Sequence, residues 1–258
     1  MGPSLEQLLE CADRTIEELA ASLTRHTREV TPHLLINLVF LSRTRTSFRA
    51  IKLLCKHGLD ADAVIVMRSM VENVISLLYI NAEPSSRAGL YADHLWVEEH
   101  KRMNALRDVY PPETFAHRYP EDQVRLIERN YRRVNAQGWS DLSLEAKARE
   151  VDVLHLYALP YRFGSGYAHG SPITARSYAK WTDTGILLRD GRALTESDSV
   201  APLVLKTAVL LVGIAVEELC KVRGVTIPSA YQGLHSGVRS CLATSGPDCS
   251  AKGLAGND

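Results

Sequence analysis

The chain has 258 residues, of which 45% are hydrophobic and 23% charged, so it is long enough to bury a substantial core. Its 30 basic and 30 acidic residues cancel, which argues against binding to nucleic acid or membranes through overall charge. The five cysteines form no CxxC pair, and the longest apolar run, Leu203 to Val216, is too short to cross a bilayer. We therefore expect a cytoplasmic protein with reduced cysteines, without a metal site and without a membrane-spanning segment.

Helical periodicity dominates the start of the chain. Apolar residues spaced three and four apart predict a helix over residues 4–28 and a second from Thr31-Pro32 to Gly58. A basic stripe recurs at helical spacing on the second helix: Arg45, Arg49, Lys52 and Lys56. Such a stripe is either a solvated face or a surface that meets an anion, and charge runs of this kind favour the solvated face.

The third predicted helix, Ala63 to about Ile80, is apolar on nearly every side and should be the most buried helix. Arg68 and Glu72 interrupt it at a spacing of four. Because buried charges are costly unless they are paired, we interpret the two as an ion pair that ties this helix to a neighbour. The alternative is that one of them faces a ligand pocket.

A fourth helix follows Glu83-Pro84 and carries His94 and Glu98 at a spacing compatible with metal ligation. No Glu-x-x-His pair of the kind found in di-iron bundles accompanies them, so a solvated polar face is favoured. Further helices are predicted from Pro120 to about Gly138 and, behind a Ser143 cap, over a short following segment.

The segment 161–171 joins an arginine to a histidine. If it is helical, Arg162 and His169 lie seven positions apart and share one face. Pro160 predicts that Arg162 begins a new helix, whose free N–H groups would favour a phosphate nearby.

Glycines interrupt the same segment. Gly164 and Gly166 weaken a helix, and this cost indicates that another group approaches the backbone closely.

The remaining sequence completes a helical pattern. Residues 173–199 are polar and turn-rich and predict a loop with a small hairpin at Ile186–Leu188, followed by an apolar last helix from Val200 to Val222. The polar composition beyond about Ser236 predicts disorder. We therefore expect an all-α, single up-down helical bundle at residues 1–235, with a flexible tail at 236–258.

Several short motifs are spread along the chain: Arg68-Ser-Met-Val-Glu72, Trp139-Ser-Asp-Leu-Ser143, Tyr157, Tyr161-Arg162 and Ser165-Gly-Tyr-Ala-His169-Gly-Ser171. Together they resemble a bacterial family of uncharacterised all-helical proteins, a domain of unknown function, over roughly Leu35 to Val222. This resemblance implies the fold and no assigned activity.

Arg162 and His169 also resemble, less closely, the motif of the HEPN superfamily of helical bundles. Its ribonuclease members carry an Arg, four to six residues and a His on one helix, and usually act as dimers. Six residues separate the pair here, and Phe163 stands where many members have a polar residue. The resemblance implies that His169 is the general base for a 2′-hydroxyl and that Arg162 stabilises charge on the phosphorane.

The first of three functional hypotheses is therefore a metal-independent endoribonuclease of a toxin or phage-defence system, acting on RNA as a homodimer and needing no cofactor. Its catalytic residues would be His169 and Arg162. The candidate binding residues around them are Arg68, Glu72, Tyr161, Ser165, Tyr167 and Ser171.

The second hypothesis is a non-catalytic helical module that binds a ligand or a partner protein. In it, Glu72 and backbone carbonyls satisfy Arg162 and His169 in a buried polar knot with Arg68. The third hypothesis is a metal-dependent helical-bundle enzyme that uses Glu72, His94, Glu98 and His169. A lone histidine after an apolar run is more often structural than catalytic, which favours the second.

Overall fold

A computed structural model describes residues 9–10, 13–14, 17–18, 30–134, 138–139, 142–169, 172–188 and 199–226. The α-helices in these ranges are α1 (Pro32–Lys56), α2 (Asp60–Ala82), α3 (Pro84–Val109), α4 (Pro112–Arg118), α5 (Glu121–Val134), α6 (Leu144–Glu150), α7 (Leu154–Leu156), α8 (Arg162–Ala168), α9 (Ala175–Tyr178) and α10 (Ala201–Arg223). A π-helical turn, Tyr157–Tyr161, joins α7 to α8, and a 3-10 turn, Pro172–Thr174, precedes α9. The predicted all-α bundle is confirmed.

The centre of the bundle consists of α1, α2 and α10, which pack against one another. Their apolar stripes meet in one core, where Phe48, Met70 and Leu211 are fully shielded from solvent. The prediction that the third helix is deeply buried is confirmed, although α10 is buried to a similar extent.

The helix α2 is long and apolar enough to cross a membrane by length and composition alone. However, 61% of its most apolar window is buried inside the protein. Its apolar residues therefore supply much of the core of the bundle.

The ends of the long helices follow from local sequence signals. The Thr31 hydroxyl accepts a hydrogen bond of 3.1 Å from the backbone N–H of Leu34, and proline occupies the first turn of α1. Ser143 caps α6 in the same way through Ala146, at 3.1 Å. At the other end of the chain, α10 ends at Gly224, whose φ of 62° is the left-handed conformation that glycine adopts most readily.

The helices α3, α4 and α5 form a smaller lobe with its own apolar cluster. Met103, Tyr119 and Ile127 are buried there, and Trp96 packs against them. The sequence did not predict α4, because the prolines on both sides of it indicated only a break. Proline at the start of a helix is compatible with helical geometry, and α4 begins at Pro112.

An antiparallel hairpin of β1 (Ala179–Thr182) and β2 (Gly185–Leu188) lies in the segment predicted to be a turn-rich loop. Its second strand contains the Ile186–Leu188 stretch for which a hairpin was predicted. The predicted N-terminal helix is helical at residues 9–10, 13–14 and 17–18, and the predicted tail, 236–258, lies outside the described residues.

Candidate functional site

The helix α8, which begins at Arg162, continues directly from the preceding π-helical turn. The backbone N–H of Arg162 donates to the carbonyl of Tyr157, so this donor is already used. Pro160 lies inside the turn, where its missing N–H is accommodated by the widened helix. The predicted free N-terminus for a phosphate beside Arg162 is therefore wrong.

Gly164 is the point at which α8 touches α2. A Cβ placed on Gly164 would lie 2.6 Å from the Cβ of Arg68 and 3.1 Å from the carbonyl oxygen of Val64. Real Cβ atoms do not come so close to such neighbours, so only glycine permits this distance between the helices. The predicted close approach at Gly164 is confirmed, and the group that approaches is the α2 backbone.

Arg68 makes the second link between α2 and this segment. Its Nη2 donates to the Tyr161 hydroxyl at 3.0 Å, and its Cζ lies 4.7 Å from the centre of the Tyr161 ring. Tyr161 in turn stacks on Tyr157, with ring centres 5.1 Å apart. The Nε of Arg68 is buried and has no hydrogen-bond partner among the residues that the structure describes. Arg68 therefore positions the start of α8.

The predicted ion pair between Arg68 and Glu72 does not form between these two described residues. Glu72 lies one turn further along α2 and is exposed. Arg68 ties α2 to its neighbour, as expected, but it does so through Tyr161. The interpretation of Glu72 as a buried charge is wrong.

Lys147 is the residue that sequence reasoning missed. Only 6% of it is exposed, and its Nζ lies 3.7 Å from the centre of the Trp139 ring and 5.6 Å from that of Tyr79. Burial lowers the pKa of Lys147 to about 8, and the negative charge of Glu72 opposes this shift. Lys147 follows Glu145 by two positions near the start of α6, and this pattern is typical of a solvated lysine. The only sequence feature that indicated its burial was the nearby aromatic residue Trp139.

Arg162 contributes to the electrostatics of Glu145 on helix α6. The pKa of Glu145 is lowered mainly by the hydrogen bond that Arg149 donates at 2.7 Å, and further by the positive charges of Arg149 and Arg162. The charges on α6 and on the first turn of α8 therefore interact.

Both members of the Arg162–His169 pair are exposed. The backbone N–H of His169 donates to the Ser165 carbonyl at 3.2 Å, which continues the helix to its end. In the described part of the chain, neither side chain bonds to Glu72 or to a backbone carbonyl, and the predicted buried polar knot is wrong. The knot fails because α8 buries its glycine face and turns its polar face to solvent.

The other predicted binding residues lie around this exposed face. Ser165 and Tyr167 are half-buried, and the Tyr167 ring lies 5.1 Å from that of Phe163. Ser171 lies outside the described residues.

The basic stripe on α1 meets acidic residues from the N-terminal segment. Arg45 and Arg49 pair with Glu17 at 3.2 Å and 2.7 Å, and Lys52 pairs with Asp13. Three cations of the stripe are therefore paired with acids on a surface that remains partly exposed.

The residues of the metal hypothesis do not converge. His94 Nε2 lies 3.3 Å from Glu98 Oε1, and burial is the main cause that lowers the pKa of His94. Among residues that the structure describes, no three His, Cys, Asp or Glu side chains are grouped so that they could hold a metal ion.

One comparison with known proteins gives a match. The model of a family of unknown function (DUF5677) matches residues 34–186, which begin within α1 and extend through α9 and β1 to the start of β2. No curated protein and no solved structure matches the chain.

Proposed function

We propose that this chain, which belongs to the DUF5677 family of unknown function, is a metal-independent endoribonuclease of the HEPN type. Its active face would be the exposed side of α8, with His169 as general base and Arg162 as the group that stabilises the phosphorane. The same resemblance favours a cytoplasmic homodimer of a toxin or phage-defence system.

The observation that carries this proposal is the exposure of Arg162 and His169 on a helix that is rigidly held from behind. Gly164 packs the opposite side of α8 against α2, and Arg68 holds Tyr161 directly before it. A structural histidine would be buried with both ring nitrogens bonded. Exposed polar residues on a fixed scaffold are instead typical of sites that meet a substrate.

The spacing of the two residues suits a bound RNA strand. Arg162 is the first residue of α8 and His169 caps its C-terminus, so the two lie roughly 10 Å apart along the helix axis. Arginine matches phosphate oxygens with a forked pair of donors. In a dimer, two such helices would bring two pairs to the same strand.

The proposed reaction is an internal transesterification. His169 takes the proton of the 2′-hydroxyl, the 2′-oxygen forms a bond to phosphorus, and the bond from phosphorus to the 5′-oxygen breaks. The departing 5′-oxygen takes a proton from solvent. The products are a 2′,3′-cyclic phosphate and a 5′-hydroxyl, and Arg162 stabilises the charge that develops on the phosphorane oxygens.

The test is cleavage of single-stranded and hairpin RNA by the full chain in the presence of EDTA. We expect His169→Ala and Arg162→Ala each to lower the rate about 100-fold or more. His155→Ala and Arg129→Ala remove exposed residues of the same types from α7 and α5 and should leave the rate unchanged. Cleavage that survives both active-face substitutions would contradict the proposal.

A further inference from the structure

A cavity of about 520 Å³ opens in the lobe formed by α3, α4 and α5. This volume is within the range of about 300–1,000 Å³ that is usual for small-molecule sites. Its lining residues all belong to α3, α5 and the end of α4, so the cavity does not involve the α8 face.

One wall of the cavity is apolar. Trp96, Leu126 and Ile127 contribute to it, and Ile127 belongs to the buried cluster on which Trp96 packs. Leu126 is 40% exposed and Leu95, also in the lining, is 57% exposed. Apolar surface is therefore left in contact with water, and a ligand that covered it would gain the free energy of burial.

The charges around the cavity leave one cation unpaired. Arg102 forms an ion pair with Glu99, so these two lining charges compensate each other. Arg118 lines the cavity and is exposed, and it has no ion pair within the described ranges. Its guanidinium is always charged and offers several N–H donors.

A second polar group lines the cavity beside this cation. Tyr119, only 5% exposed, lines the cavity, and its hydroxyl forms no hydrogen bond to another described residue. The hydroxyl is not among the buried polar atoms that lack a partner, so it reaches solvent and can donate to a bound group. Arg118 and Tyr119 both line the cavity, so an anion bound there can contact the guanidinium and the hydroxyl.

We propose that this cavity binds a small organic acid with an apolar, ring-sized body and one anionic group. The body packs against Trp96 and Leu126, and the anion, a carboxylate or a phosphate ester, pairs with Arg118 and accepts a hydrogen bond from Tyr119. Charge-assisted contacts of this kind are the stronger ones in proteins, so Arg118 dominates the selectivity for anions.

The probe for a first test is 8-anilinonaphthalene-1-sulfonate, an aromatic anion that fluoresces in apolar surroundings, titrated into the full chain. We expect saturable binding that 3-phenylpropionate or phenyl phosphate displaces, and whichever of the two is stronger identifies the anionic group. The neutral 3-phenylpropanamide should compete at least tenfold more weakly. Equal competition by the amide, or the absence of saturable binding, would overturn the proposal.

Variants locate the binding to this cavity. Arg118→Gln should weaken probe binding about tenfold or more, whereas Arg125→Gln, which changes an arginine paired with Glu121 on α5, should have no effect. Leu126→Trp fills the cavity from a partly exposed position and should abolish binding without opening the core. Binding as in the wild type by Arg118→Gln or Leu126→Trp would overturn the assignment.

Discussion

Two cation-rich regions of this molecule differ in what surrounds their positive charges. On α1, Arg45, Arg49 and Lys52 are paired with acids from the N-terminal segment. In the region from α6 to α8, here called the α6–α8 layer, Lys147 lies against aromatic rings and Arg162 is exposed. The difference indicates that the α1 charges attach the N-terminal segment, whereas in the α6–α8 layer Lys147 is buried and Arg162 remains exposed on α8.

The largest stability effect should come from closing the gap between α8 and α2. Gly164→Ala places a Cβ 2.6 Å from that of Arg68, and overpacking of this kind should lower the free energy of unfolding by about 2 kcal/mol. Urea unfolding followed by circular dichroism measures it.

The matched control for this change is Gly89→Ala on α3, where an added Cβ meets nothing within 4 Å. Alanine favours a helix over glycine by about 1 kcal/mol, so this variant should be as stable as the wild type or more so. If Gly164→Ala behaved like Gly89→Ala, α8 would not be fixed on α2 as described.

A second test uses the pH dependence of Lys147. Because burial lowers the pKa of Lys147 in the folded chain from 10.5 to about 8, the unfolded chain holds the extra proton between these pH values. The free energy of unfolding should therefore rise with pH across this window, by about 1–3 kcal/mol.

Lys147→Met isolates this contribution, since it keeps the aliphatic side chain and removes the titrating group. Unfolding measured from pH 7.5 to 10.5 should show the rise in the wild type and lose it in the variant. Parallel curves for the two proteins would mean that the Lys147 ammonium is solvated in the folded chain.

The link between Arg68 and Tyr161 should have a smaller effect. Tyr161→Phe removes the hydroxyl that accepts the 3.0 Å hydrogen bond and leaves a partly buried guanidinium without that partner, which should cost about 1–2 kcal/mol. Tyr110→Phe, at a position that is 45% exposed, is the control and should be neutral. If both variants unfolded at the same temperature, the bond from Arg68 to Tyr161 would not help to position α8.

The smallest effect should come from the ion pairs of α1. Glu17→Gln removes the partner of both Arg45 and Arg49. Because Glu17 and Arg49 are exposed and Arg45 is only half-buried, the cost should be below about 1 kcal/mol and should shrink further in 0.5 M salt. A loss above about 2 kcal/mol that salt did not reduce would contradict the view that these pairs only attach a surface segment.

The sequence predicted the helices well because their signals are local. Thr31, Ser143 and Gly224 each act within one turn of the helix end that they define. The apolar periodicity of α2 and α10 likewise depends only on residues a few positions apart. Gly164 indicated a close approach because the cost of a glycine within a helix is also a local signal. No residue near it in the sequence identified the group that approaches.

The site was less predictable because it depends on contacts between distant residues. Arg68 contacts Tyr161 across 93 positions, and Glu72, one turn away on α2, is exposed instead of paired. Lys147 is buried only because Trp139 and Tyr79 arrive from two other segments. A sequence pattern that spans only one helix cannot indicate contacts between residues so far apart in the chain.

The most direct test of the central claim is the rate of RNA cleavage in EDTA for one oligonucleotide with and without a 2′-O-methyl group at the cleaved position. The account predicts that the wild type leaves a 2′,3′-cyclic phosphate on the unmodified RNA and does not cleave the methylated one. It also predicts that His169→Ala loses the activity and His155→Ala keeps it. Cleavage of the methylated RNA, or equal rates for the two histidine variants, would contradict the account.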